Sequence, residues 1–172
     1  MSHPPPSTPG YVDETLALLG DRDPVAVLEE MPDWLTTHLD DLEESVLGVA
    51  EGPGKWSITQ VLAHLADTEL AFGWRIRLLL TADRPPLTGF DEGKWVTRFD
   101  YASADPAEAF HAFAMQRSWN MRVYRSITPD DRTRVGIHSE RGEESVDRVL
   151  RMIAGHDLRH RRQITRIIQA IT

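Results

Sequence analysis

Apolar side chains recur at three- and four-residue intervals along most of the chain, a spacing that predicts four long amphipathic helices packed on one another. The first is expected to restart after Pro32 and to end near Gly48, with Leu35, His38, Leu39, Leu42, Val46 and Val49 on its inner face. The second opens at Ser57, because Ser57-Ile-Thr-Gln60 reads as a capping box, and carries Ile58, Val61, Leu62, Leu65, Phe72, Ile76, Leu79 and Leu80 before Pro85-Pro86 stops it. Asp105-Pro-Ala-Glu108 starts the third, with an Asp N-cap and Pro at the first helical position. Its stripe of Phe110, Phe113, Ala114, Met121 and Tyr124 reaches about Ile127 before Pro129. Ser145 caps the last, lined by Val146, Val149, Leu150, Ile153, Ile164, Ile167, Ile168 and Ile171. Two weaker helical stretches, 12–19 and 24–31, precede these. No strand-like alternation and no internal repeat is present, so the fold class expected is all-α, a four-helix bundle crossing at about 20°.

Outside the helices, two segments stand apart. Residues 1–10 contain four prolines and are expected to form a disordered tail ahead of a single domain over 11–172. Residues 84–104 have no period, and a loop of that length in a compact domain tends to be a functional cover or a mobile segment. Trp95, Phe99 and Tyr101 suggest that it docks.

The last helix breaks its own pattern. At about 100° per residue, His156, Asp157 and His160 fall within the arc otherwise filled by apolar side chains. Burying a polar group without a partner costs about 1–3 kcal/mol, so two imidazoles and a carboxylate on a core stripe require hydrogen bonds, charge partners or a metal. Residues four apart are stacked neighbours, and two such histidines can bind one ion. The alternative is a partly wet histidine pair at the end of the bundle. His64, at the edge of the second helix's stripe, could supply a third imidazole and leave an open position on the ion, or could be a boundary residue bonded to a carbonyl. His38 is either a fourth ligand or a core histidine, and His111 and His138 read as edge and loop residues. Asp67, three residues past His64, could accept a hydrogen bond behind the site, but its direction on the helix is outward, towards solvent. On the third helix Arg117 lies among Phe110, Phe113, Ala114 and Met121, and a permanent cation there needs an anion. Asp157 or Glu69 could pair with it internally; alternatively Arg117 anchors a substrate carboxylate and Asp157 acts as a base or orienter.

Composition narrows the chemistry. The 172 residues contain no Cys, which excludes disulfides, Cys-ligated zinc, iron–sulfur clusters and a cysteine nucleophile, and fits a reducing, cytoplasmic setting. Any metal must be held by His, Asp or Glu. With 19 Lys plus Arg against 27 Asp plus Glu, the formal charge is -8, and with no basic tract nucleic acid is a poor partner. No apolar run approaches the roughly 20 residues that span a bilayer, so no membrane association is expected.

The stretch Lys55-Trp-Ser-Ile-Thr-Gln-Val-Leu-Ala-His-Leu-Ala-Asp-Thr-Glu69, together with Gly155-His-Asp-Leu-Arg-His-Arg-Arg-Gln-Ile164, resembles the DinB/YfiT-like family of metal-binding four-helix proteins. The resemblance extends from the first clear helix to Ile171. It implies an up-down-down-up bundle, often a homodimer, holding a divalent ion on His64, His156 and His160. Zn is the first expectation for that ion, with Ni, Fe or Mn as alternatives. Members often carry a further His directly before the last ligand, where Arg159 stands here. The activities implied are thiol-dependent S-transfer to a small electrophile with a bacillithiol- or mycothiol-type cosubstrate, which is preferred, or metal-dependent hydrolysis. A noncatalytic metal-binding stress-response protein is the remaining alternative.

Overall fold

A computed structural model describes residues 9–171. The elements are α1 (Pro9–Leu19), α2 (Pro24–Leu39), α3 (Glu44–Leu47), α4 (Ile58–Thr81), β1 (Pro86–Leu87), α5 (Glu92–Arg98), a 3-10 turn (Tyr101–Ser103), α6 (Pro106–Tyr124), α7 (Pro129–Arg132), β2 (Val135–His138), β3 (Gly142–Ser145) and α8 (Val146–Ile171). The expected tail falls largely on residues 1–8, outside the described residues, while Pro9 and Gly10 already belong to α1.

The start signals operate as the sequence implies. Ser57 Oγ accepts from the Gln60 amide and Gln60 Oε1 from the Ser57 amide, Asp105 accepts from the Glu108 amide, and Ser145 Oγ accepts from the Arg148 amide. The first bundle helix differs from expectation. α2 begins at Pro24, capped by Asp23, runs through Pro32 and ends at Leu39, so 40–48 is not its continuation. Proline has no N–H to give to the carbonyl four residues back, here Leu28, and in most helices that loss would break the chain. Arg117 Nη1 donates to the Leu28 carbonyl at 2.9 Å and supplies the missing bond. His38, turned outward, is exposed, stacks on Trp34 and bonds its carbonyl, so it is neither core nor ligand.

α2, α4, α6 and α8 form the bundle, and contacts between them give its direction. Side chains at 116, 117 and 120 meet positions 66, 69 and 73, so α4 and α6 run parallel. Residues 28 and 30 lie beside 157 and 161 through Arg117 and a Glu30–Arg161 pair, which makes α2 parallel to α8. His64 faces His160 and Phe72 faces His156, so α4 opposes α8. This is the up-down-down-up order. The parallel pair requires the long crossover over 82–105, and the C-terminal ends of α4 and α6 feed two parallel strands of one small sheet, β1-β2-β3. These strands of two to four residues are too short to show a period of two, which is why the sequence pattern does not announce them.

The buried apolar residues fall into two main clusters. One holds Met31, Leu35, Val61, Leu65, Phe113 and Ile164; the other holds Leu28, Phe72, Ile76, Met121, Val149 and Ile153. Between them, on three helices, lie Glu69, Arg117, His156, Asp157 and His160, all buried. α1 closes over α8 at Gly155, where a Cβ would collide with the Thr15 carbonyl. Gly155→Ala is therefore expected to push α1 away and to destabilise the protein by about 1–3 kcal/mol, read as a lowered midpoint in urea unfolding.

Candidate metal centre

α4 and α8 each bring imidazoles to the polar layer. His64 is 2 % exposed, His156 6 % and His160 0 %. The Nε2 atoms of His64 and His160 each lie 3.0 Å from Nε2 of His156, and ligand atoms from all three fit within 4.8 Å of one another. Two nitrogens bound to one ion at about 2.0–2.1 Å stand roughly 2.8–3.4 Å apart for octahedral to tetrahedral angles. The observed spacing matches. A single N–H proton on His156 cannot serve two nitrogen neighbours equally, whereas one cation accepts lone pairs from all three rings.

Neighbours orient the rings. Gln163 Oε1 lies 2.9 Å from Nδ1 of His160, one turn along α8, and accepting a hydrogen bond from an Nδ1–H there leaves the Nε2 lone pair for an ion. The Thr68 hydroxyl sits 3.4 Å from both ring nitrogens of His64, and Trp56 packs with its ring centre 5.1 Å from the same imidazole.

The sequence pattern missed the carboxylate that approaches this group. Glu92, in the first turn of α5, is 5 % exposed and brings Oε2 to 3.8 Å from His64 Nε2; its Oε1 is buried with no protein hydrogen-bond partner. Burial pushes the Glu92 carboxyl up to about 7, with Arg159 opposing and Asp91 reinforcing the shift. Residues 84–104 pack over this point, with Tyr101 buried and its hydroxyl donating to Asp67, while Phe99 stays 58 % exposed. That bond also corrects the outward reading of Asp67. Beside His64 and His156 opens a cavity of about 460 Å³, lined also by Glu92, Phe72, Arg75 and Met152.

Arg117 and Asp157 are used on each other. Arg117 Nη1 and Nη2 reach the Asp157 carboxylate at 2.6 and 3.2 Å, and Nη2 lies 2.8 Å from Glu69 Oε2. Burial works against the charge of Arg117, yet Asp157 and Glu69 outweigh it and hold the group protonated. Asn120 Nδ2 satisfies the other Glu69 oxygen at 2.8 Å. Neither Arg117 nor Asp157 lines the cavity beside the imidazoles. His138, on β2, is buried 2 % exposed among the sheet residues, and His111 is exposed; neither joins the group.

Residues 28–164 match the model of the DinB superfamily. Two relatives, from Oceanobacillus iheyensis and Bacillus cereus, bear the name "Putative metal-dependent hydrolase". The first is 28% identical over 138 residues, 80% of either chain, and the second 25% identical over 80% of this chain and 79% of its own. The solved structure of YfiT from Bacillus subtilis, described as "a probable metal-dependent hydrolase with an unusual four-helix bundle topology", superposes with a TM-score of 0.77 at 23% identity. The match covers 94% of this chain and 88% of that one. A mycothiol-dependent maleylpyruvate isomerase shares the fold at a TM-score of 0.66 and 12% identity, over 82% of this chain and 59% of the other.

Removing the cation from the polar layer strands two buried carboxylates. Arg117→Ala is expected to cost about 3–5 kcal/mol of stability, measured by chemical denaturation with the metal removed; a loss below about 1 kcal/mol would contradict the role given to this cluster.

Proposed function

The chain belongs to the DinB superfamily, and from that membership and the three converging imidazoles we propose that it is a divalent-metal-dependent hydrolase of small molecules. His64, His156 and His160 would hold the ion through Nε2, with Zn the first candidate and Ni, Fe or Mn the alternatives, since a neutral imidazole set does not select among them. Such an ion supplies Lewis acidity, lowering the pKa of a water from 15.7 to about 7. The observation that carries the reading is Glu92, a buried carboxylate 3.8 Å from His64 Nε2 and facing the same cavity. Glu92 takes the proton given up by the attacking water and returns it to the leaving group. Gln163 holds the His160 ring in orientation, and Phe72 and Met152 exclude bulk water from the cavity wall. Asp157 and Arg117 act through the scaffold, fixing α8 against α4.

Thiol-dependent S-transfer is the second reading, favoured by a cavity of about 460 Å³ that admits a low-molecular-weight thiol beside the imidazoles. Glu92 separates the two. A thiol, with a pKa near 8.5, needs far less help to lose its proton than water does.

Protein purified without a nickel column is expected to carry about one equivalent of divalent metal, and His160→Ala to lose it, by elemental analysis. With a panel of esters, amides and lactones, Glu92→Gln should retain the metal and lose about 10²-fold or more in kcat. Thiol-dependent turnover that survives Glu92→Gln would establish the second reading. No metal-dependent turnover with either panel would leave a noncatalytic metal-binding stress-response protein.

A second copy of the chain is the proposed partner. Leu70 and Trp74 on α4, at 61% exposure each, and Met115 and Trp119 on α6, at 75% and 62%, form one outward apolar face. In light scattering, the wild type is expected at twice the 19.5 kDa chain mass and a Trp74→Glu, Trp119→Glu double variant at the monomer mass. A monomeric wild type would contradict the assignment.

A further inference from the structure

The cavity beside the imidazoles contains a charge for which hydrolysis alone has no task. Arg75 sits three turns beyond His64 on α4, on the same face as Thr68 and Phe72, and is 6 % exposed. Its guanidinium carbon lies 5.2 Å from the ring centre of Phe72 and 5.3 Å from that of Phe90. One donor, Nη2, is committed to the Thr88 carbonyl at 2.6 Å. A guanidinium has five N–H donors in a planar fork, and a buried one ordinarily meets a carboxylate.

Here it does not. Among the described residues, the other cations lining the cavity are matched: Arg141 to Glu144 through two bonds of 2.7 and 3.0 Å, and Lys94 to Asp91 at 3.4 Å. Among the described residues no carboxylate forms an ion pair with Arg75, although Glu144 and Glu140 act on it from a longer distance. Glu140, at the tip of the β2–β3 hairpin, is exposed and lies against Gly89 instead. Burial lowers the Arg75 guanidinium to about 10, which leaves it charged at neutral pH. The ring of Phe72 touches both ends of the arrangement, since His156 lies 6.3 Å from it, ring centre to ring centre. An anion on Arg75 and a reacting bond beside the imidazoles can therefore belong to one small molecule.

We propose that Arg75 is an anion-recognition residue and that the substrates are small, singly charged carboxylates whose reacting centre lies next to His64 and His156. The assignment rests on the hydrolytic reading for the reacting end only. One cation without an ion-pair partner suits one negative charge, and Glu144 and Glu140, which already act on Arg75 from a distance, disfavour a dianion such as a phosphate monoester. A carboxylate also matches the planar fork of the guanidinium.

The test uses benzoate and its neutral counterpart benzamide, titrated into the protein as purified and again after chelation, with calorimetry and the NMR signal of the Arg75 Nε–H. Benzoate is expected to bind saturably in both preparations and to shift that signal, and benzamide to bind more weakly. Loss of charge-assisted hydrogen bonds in Arg75→Gln should weaken benzoate by about tenfold to a hundredfold, with Arg75→Lys between the two. Equal binding of benzoate and benzamide, equal binding by wild type and Arg75→Gln, or an unmoved Nε–H signal would overturn the proposal. The wild-type signal decides the matter even if the variants misfold. Because binding is read without turnover and without metal, its failure is separable from a failure of the hydrolytic reading.

Discussion

A single guanidinium joins all four helices of the bundle. Arg117 belongs to α6, bonds the Leu28 carbonyl on α2, and pairs with Glu69 on α4 and Asp157 on α8. Buried pairs of this kind contribute little net stability compared with apolar packing, because desolvation consumes most of the Coulombic gain; what they specify is register. A slide of α8 by one turn would carry Asp157 away from Arg117 and leave its carboxylate uncompensated between the two apolar clusters. Register is what the imidazoles require. Asp157 directly follows His156 and precedes His160 by three residues, while Glu69 lies five residues beyond His64, so the pairing that fixes these carboxylates also sets His64 opposite the histidines of α8.

The same side chain accounts for a proline that ought to end a helix. Pro32 removes one backbone bond from α2, and the open Leu28 carbonyl becomes an acceptor for Arg117. The break in the helix ladder and the charge in the core are satisfied together. Around this layer the crossover and the hairpin form a wall: α5 carries Glu92 to the imidazoles, Gly142, with φ +75, closes the β2–β3 hairpin, and α1 settles on Gly155 directly before His156. The site is thus assembled from segments whose own sequences show little periodicity, positioned by helices that show a great deal.

That division explains what could be read in advance. Capping signals at Ser57, Asp105 and Ser145 mark the starts of three bundle helices because caps are local chemistry. His156 and His160 were legible as polar residues on an apolar stripe, and their meeting with His64 followed from the family resemblance. Arg117 could be seen to need an anion, although whether that anion was internal or a ligand depended on tertiary placement. The end of α2 is not legible because Leu42 and Val46 continue the apolar period after the helix has stopped, and the passage of α2 through Pro32 is not, because the compensating donor is distant in sequence. Glu92 gave no signal inside an aperiodic loop. Arg75 did give one: it lies eleven residues, three turns, after His64, among Phe72, Ile76 and Leu79, as conspicuous a charge on α4 as Arg117 is on α6.

Three imidazoles from two helices converge closely enough to share one ion. X-ray absorption at the metal edge of the zinc-loaded protein tests this most directly. It should show three imidazole nitrogens at about 2.0–2.1 Å, with the multiple-scattering pattern of histidine rings and any remaining scatterer light. A first shell made of oxygen alone, or a spectrum with a single imidazole, would contradict it.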